Sequence, residues 1–306
     1  MKNKGRALGL MLCLLLSGPA RAQSDRHGHL LEVRPAAAAP VQAHAAVAPA
    51  ELKIVSYNIR WRGGEELKEL VEILRSDSEV GGAAIVGLQE VDRAKKRTKN
   101  EHTGRLIAES LGMHMAWAAP PPARVGEEEE TGVALLSPFP MTDVERIVLP
   151  HEGPNKRRRV AVGATVHVGE VQVRAYSVHA ETRMPLKKKV EHWAAVLEDL
   201  KKYPHVKRAV VVGDFNTIKG KDVRAARRLF TDAGFTTPFP DDRSTWKTFI
   251  VKLKLDWLWL RGMKPVRSGI DREVEFSDHW PLWATVRLER KTGGRPEADT
   301  PVINQR

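Results

Sequence analysis

The stretch Val210-Val211-Val212-Gly213-Asp214-Phe215-Asn216 constrains the chain most. Three consecutive β-branched residues predict a buried strand. The strand ends by delivering a carboxylate and a carboxamide at i and i+2, positions that share a face. Gly213 lets a ligand approach the backbone closely just before them. An acid and an amide so placed can hold a hard cation, activate a water or donate a hydrogen bond to a phosphate oxygen. Asp and Asn also end strands because they start turns. The rest of the chain therefore decides what the stretch means.

Length and charge narrow the choice. The chain has 306 residues and is 42% hydrophobic, enough for a sizeable core. Its formal net charge is +12. It stays basic after removal of Lys2, Lys4, Arg6 and Arg21, the charged residues of its first 22 positions. A basic protein favours anionic partners such as nucleic acid, phospholipid head groups or phosphorylated small molecules. The single cysteine, Cys13, lies in a short apolar run. Disulfides, thiol chemistry and cysteine zinc sites are thus excluded from the mature chain. A metal would be held by carboxylates, amides or histidines.

Residues 1–22 read as a secretory signal: a basic start, an apolar run Ala7 to Leu16 too short to span a bilayer, then Ala20-Arg21-Ala22. The expected mature start is Gln23, and the expected location is secreted or periplasmic. Residues 23–50, rich in Ala and Pro, read as a flexible linker, and residues 290–306 as a disordered tail. One domain, 51–289, lies between. Strands are expected at Leu52 to Ile59, Ala83 to Val91, His114 to Ala118, Thr131 to Ser137, Asp143 to Leu149, Val160 to Val168, Val171 to His179, Leu253 to Leu260 and Pro281 to Leu288. Helical spacing marks Glu65 to Arg75, Thr103 to Leu111, Leu186 to Tyr203 and Asp222 to Ala233. Strands and helices alternate, yet several strand pairs are hairpins, as at Gly169-Glu170. That pattern predicts two mixed sheets packed face to face with helices outside.

Polar residues recur where apolar strands end: Asn58, Glu90, His179, Asp214 with Asn216, and Asp278-His279 before the last strand. Asp256 sits inside Leu255-Asp256-Trp257-Leu258-Trp259-Leu260, where an unpaired carboxylate is costly. A buried Asp that orients a histidine resolves that cost. Six motifs then fall in one order: Ser56-Tyr57-Asn58, Leu88-Gln89-Glu90-Val91-Asp92, Ser177-Val178-His179, Gly213-Asp214-Phe215-Asn216, Leu255-Asp256-Trp257 and Ser277-Asp278-His279. In these the chain resembles the endonuclease/exonuclease/phosphatase family, of deoxyribonuclease I-like fold, over roughly residues 52–288.

The resemblance implies a four-layered α/β/β/α sandwich and hydrolysis of phosphoester bonds with Mg²⁺, or Mn²⁺ in its place. It implies that Glu90 holds the metal, with Asn58 beside it and Asp278 as a second acid. It implies that Asp214 orients or deprotonates the attacking water, that Asn216 holds the phosphate, and that Asp256 pairs with His279. His279 would contact the phosphate or take the water's proton. His179 matches a histidine used on a phosphate oxygen or the leaving group. In deoxyribonuclease-like members a glutamate eight residues before a Ser-Pro strand end supports that histidine. The count reaches Glu130, yet Glu127 to Glu130 reads first as a solvated acidic loop.

Arg159 and Arg183 are the candidate basic residues for substrate. Lys187-Lys188-Lys189 reads as a helix surface, and Trp193, Trp257, Trp259 and Trp283 as core. With only three tyrosines, no stacking groove for single strands is evident. Nor is an apolar hairpin for membranes. The expected protein is a monomeric, exported phosphodiester hydrolase acting on an anionic phosphoester, nucleic acid or phospholipid head group, with no obligate protein partner. The alternatives are a phosphomonoesterase of the same fold and a non-catalytic binding module. The presence of Glu90, Asp214, Asp278 and His279 argues against the second.

Overall fold

The apolar runs become strands of two mixed sheets. The structure is a computed structural model, and it describes residues 28–37, 49–122, 130–154, 156–240 and 242–288. The expected signal and tail lie outside the described residues. In chain order the elements begin β1 (Leu31–Arg34), β2 (Glu51–Asn58), α1 (Gly64–Ser76), β3 (Ile85–Arg93), α2 (Thr103–Leu111), β4 (His114–Ala118) and β5 (Glu130–Ser137). Next come β6 (Met141–Val148), β7 (Val160–Val168), β8 (Val171–His179), α3 (Leu186–Leu200), β9 (Arg208–Asp214) and α4 (Gly220–Asp232). The last are β10 (Trp246–Lys247), β11 (Lys252–Leu253), β12 (Asp256–Arg261), β13 (Lys264–Ile270) and β14 (Leu282–Arg287).

One sheet has seven strands in the order β1-β4-β5-β3-β2-β14-β13, and the other has five in the order β12-β9-β8-β7-β6. β2 pairs with β3, and β8 with β9, in parallel; the other pairings within these two sheets are antiparallel. Three apolar clusters separate four layers. Leu67, Leu70 and Leu74 of α1 and Ile107 of α2 pack on Val55, Val86 and Leu88 of the seven-stranded sheet. Trp193 and Val196 of α3 and Phe230 of α4 pack on Val211, Trp257 and Trp259 of the five-stranded sheet. Between the sheets, Val210 and Val212 meet Ile54, Leu135 and Ala284. The two-residue period of a strand thus sends Val211 outward to the helices and its neighbours inward. The four-layered α/β/β/α sandwich is the expected fold class.

The sheets touch closely behind the site. A Cβ at Gly87 would lie 2.3 Å from Val212 Cγ2, so only glycine lets β3 approach β9 there. Gln89 Nε2 donates to Ser177 Oγ at 2.9 Å, and that hydroxyl donates to Leu88 O at 3.0 Å. A buried polar link of this kind fixes the register of one sheet on the other.

Four expectations are corrected. Leu31–Arg34, placed in the linker, is a strand paired antiparallel with β4. Strand β13 was not expected, because its exposed edge carries no alternating pattern. Lys189 is buried, while Lys187 and Lys188 do lie on the helix surface. Finally, β10 and β11 form a hairpin whose tip exposes Phe249 fully and Ile250 by 84%, so an exposed apolar hairpin does exist. Trp193, Trp257 and Trp259 are fully buried, as expected.

Candidate active site

Both sheets end at the same edge, and register aligns the polar residues there. Across the five-stranded sheet, His179 of β8 is the partner of Asp214 of β9, which is in turn the partner of Asp256 of β12. From the seven-stranded sheet, Asn58 ends β2 beside Gln89 of β3. A register shift between Gln89 and Val91 frees Glu90, whose φ of 58° is left-handed. Such conformations are costly away from glycine and cluster at functional sites. Asn216 shares this conformation, with φ 52°. Gly213 has φ 140°, and a Cβ there would lie 2.0 Å from Val178 O.

The side chains form one connected array. His279 Nδ1 donates to Asp256 Oδ2 at 2.8 Å, and Thr245 Oγ1 donates to the same oxygen at 2.7 Å. His279 Nε2 lies 3.8 Å from Asp214 Oδ2, and His179 Nε2 lies 3.6 Å from that atom. Asn58 Nδ2 faces Asp214 Oδ2 at 3.2 Å, Glu90 Oε1 at 3.3 Å and His279 Nε2 at 3.4 Å. Burial pushes the Asp214 carboxyl up to about 7, and the Asp256 and Glu90 charges outweigh part of the relief from His279. Burial alone would lower His279, but Asp256, by charge and hydrogen bond, with Asp214 and Asp278, pushes it up to about 9. His179 is driven well below the usual histidine range by burial, then by Arg159 and His279. It is therefore a neutral ring at neutral pH.

Asp214, Asp256 and His279 each place a potential ligand atom within 4.8 Å of one another. Asp256 Oδ2 and His279 Nδ1 are already engaged in a hydrogen bond with each other, so we read a proton-holding array rather than a cation cage. Glu90 and Asp278, the acids expected to hold the cation, both offer the oxygen ligands that a hard divalent cation takes. Glu90 adjoins Asn58, and Asp278 lies beside Arg60, with Nη1 to Oδ2 at 3.4 Å. Asn58 itself does not present its oxygen. Oδ1 accepts the Arg60 N–H at 3.1 Å, which turns the amide nitrogen toward the site as a donor.

The other expected residues divide. Asn216 is buried in the site loop, but its Nδ2 donates to Ala180 O at 2.9 Å and so braces the residue after His179. Arg159 is next to the partner of His179 in β7, and its Nε donates to Glu181 Oε2 at 3.0 Å. Arg183 lines a cleft with it. Glu130 is neither solvated nor at His179: it is buried and accepts from Arg93 Nε at 2.5 Å. Sequence reasoning missed Arg60, Thr245 and Lys189. Lys189 Nζ donates to Asn216 O at 2.6 Å and Asp222 Oδ2 at 3.1 Å, partners remote in sequence that only the fold brings to it.

Two mixed sheets back to back, flanked by helices and carrying acids, amides and histidines at one edge, define a deoxyribonuclease I-like α/β sandwich. A family model described as "Endonuclease/Exonuclease/phosphatase family" matches residues 55–279. The chain belongs to that family. Solved structures share the fold. A family protein from Leptotrichia buccalis is 16% identical with TM-score 0.60, covering 77% of this chain and 99% of its own. A D. rerio TDP2 humanized by 14 mutations is 18% identical with TM-score 0.61, covering 78% and 100%. The human Nocturnin catalytic domain with bound sulfate is 16% identical with TM-score 0.61, covering 79% and 96%. No curated protein sequence matches the chain.

Proposed function

We propose that the protein is an exported, Mg²⁺-dependent phosphodiester hydrolase, with Mn²⁺ as a substitute metal, acting by water attack on a nucleic acid or phospholipid head group. The observation that carries this reading is the array in which Asp256 holds His279, and Asn58, Asp214 and His179 surround one point. Glu90 and Asp278 would hold the cation. A bound divalent cation supplies charge neutralisation on phosphate oxygens and a more acidic water. The chain's own groups do the rest. Asn58 Nδ2 donates to a phosphate oxygen. Asp214 takes the proton of the attacking water, and His279, cationic beside Asp256, contacts the phosphate; positioned groups of this kind are each worth roughly 10²–10⁴ in rate. Asp256 keeps His279 in one orientation. His179, neutral, donates its ring N–H to a phosphate oxygen or the leaving group.

The test is hydrolysis of bis-p-nitrophenyl phosphate with Mg²⁺, with Mn²⁺ and in EDTA. We expect activity with either metal and none after chelation; full activity in EDTA overturns metal dependence. Glu90→Gln keeps the shape and removes the charge, so it should weaken metal binding and rate while the domain stays folded. Mass spectrometry of the native protein checks export: a chain retaining residues 1–22 would sink it. A p-nitrophenyl phosphate monoester hydrolysed faster than the diester would favour the phosphomonoesterase alternative.

One observation favours the phospholipid branch. Trp246 of the exposed hairpin bridges to His279, and Lys247 N donates to Asp278 O at 2.8 Å, so the Phe249-Ile250 tip projects from the site's own rim. Exposed apolar residues beside a site suit a lipid surface. Phe249→Ser with Ile250→Ser should then lower activity on vesicle substrate and leave bis-p-nitrophenyl phosphate hydrolysis unchanged.

A further inference from the structure

At the end of the five-stranded sheet away from the site, the last turns of α3 and α4 leave a groove of about 640 Å³. Strand register places it. Arg261, on its rim, ends β12, and Asp256, the partner of Asp214, begins that strand. The steps from Asp256 to Arg261, at about 3.3 Å each, put the groove roughly 17 Å from the catalytic array. Leu197, Leu200, Val206, Ala233 and Phe235 line it with carbon alone. Its remaining lining is Pro204 and three cations, Lys201, Lys207 and Arg261, and no acid among the described residues lines it.

The cations keep their charge available. Lys201 meets Glu198 at 2.7 Å, but both side chains are exposed, and such a pair is worth little in water. Lys207 Nζ donates to Pro204 O at 2.8 Å, which leaves two of its three protons. The Arg261 guanidinium carbon lies 5.4 Å from the Phe235 ring centroid, so it is held over the apolar lining. Among the described residues, neither Lys207 nor Arg261 pairs with a carboxylate. The two helix ends do not cancel these charges with bare carbonyls. In α3 the N–H groups of Lys201, Lys202 and Tyr203 cap Glu198, Asp199 and Leu200. In α4 those of Ala233, Gly234 and Phe235 cap Leu229, Thr231 and Phe230.

We propose that this groove binds a single-chain anionic amphiphile of the fatty-acid class, its chain along Leu197, Leu200 and Phe235 and its carboxylate between Lys207 and Arg261. Charge complementarity fixes the sign of the head group. A lining without hydrogen-bonding side chains fixes the tail as hydrocarbon, because a polar body there would lose its water without a partner. The volume suits one small ligand. The groove is separate from the hydrolase site and does not depend on the phosphoester reading.

The test is isothermal titration calorimetry of the full chain with free laurate below its micelle concentration. We expect laurate to bind about ten-fold tighter than octanoate, since each buried methylene adds affinity. Dodecyltrimethylammonium, with the same chain and the opposite charge, should not bind. Lys207→Gln with Arg261→Gln should weaken laurate about ten-fold, with Arg261→Lys alone close to wild type. Leu197→Gln should weaken it comparably, and urea unfolding checks that each variant is folded. The Lys207→Gln, Arg261→Gln protein should hydrolyse bis-p-nitrophenyl phosphate like the wild type. Equal binding of the cationic amphiphile, or laurate binding indifferent to these substitutions, overturns the proposal. So does binding to phosphatidylglycerol vesicles without binding of free laurate. Laurate binding that appears only after removal of residues 289–306 would give the groove to the chain's own tail, and also overturns it.

Discussion

Asp256 is the residue whose surroundings say most about the chemistry. It opens a strand of buried tryptophans and leucines, where an ionised carboxylate survives only with partners. It has two on one oxygen, His279 Nδ1 and Thr245 Oγ1. Thr245 Oγ1 in turn accepts the N–H groups of Leu255 and Asp256 at 3.0 and 2.9 Å. The carboxylate cannot turn away without breaking that set, so the imidazole it holds is aimed as well. We therefore expect Asp256→Asn and His279→Ala each to lower kcat by roughly 10²–10⁴-fold while the domain still binds metal. The two act as one unit, so the double variant should be little slower than the slower single one. Rate losses that multiply would show independent roles.

At the scale of elements, helix α3 braces the catalytic loop from behind. Trp193 Nε1 donates to Phe215 O at 3.2 Å, one helical turn from Lys189, which holds Asn216 O and Asp222. Two backbone carbonyls after Asp214 are thus pinned by one helix face. Lys189→Met fills the same space but leaves Asp222 buried without its cation. It should cost roughly 3–5 kcal/mol in denaturant unfolding, with part recovered by adding Asp222→Asn. Additive losses in the pair would show that the two residues do not interact. Little of this brace is legible in the chain itself. Lys189 follows two solvent-facing lysines and reads like them, whereas strand-end acids stand out because an apolar run ends on them. The same logic separates the strands. The buried β9 announces itself through Val210 to Val212, while β1 and β13 lie at the two edges of their sheet and carry no pattern of burial. Arg60 and Thr245 were illegible for a further reason: Asp278 is far from Arg60 in sequence and comes beside it only because β14 pairs with β2, and Thr245 reaches Asp256 only because the chain folds back on itself between them.

The sandwich as a whole gathers its ionisable groups where water is scarce, and this ties folding to pH. Two histidines away from the array are held near neutral charge. Burial drives His102 down to about 4, with Arg105, Arg93 and Arg34 adding to it against the pull of Glu32. Burial likewise drives His192 down to about 4, aided by His151 and opposed by backbone acceptors and Glu181. Each ring stays neutral in the fold but takes a proton in the unfolded chain below about 6.5. A depressed histidine therefore contributes its full stability above that value. The contribution fades as pH falls from about 6.5 and is gone below about 4. Asp214 works the other way, since its raised carboxyl binds a proton in the fold before it does in the unfolded chain. A comparison of variants cancels that opposing effect. His192 Nδ1 accepts the Glu181 N–H at 3.4 Å, and His192→Gln can supply an oxygen for it without a titrating ring. Between pH 7 and 4.5 the wild type should lose about 2 kcal/mol more unfolding free energy than His192→Gln, since each pH unit of unmatched titration is worth about 1.4 kcal/mol. Urea unfolding at a series of pH values measures the difference, and parallel profiles for the two proteins would mean that His192 titrates alike in both states.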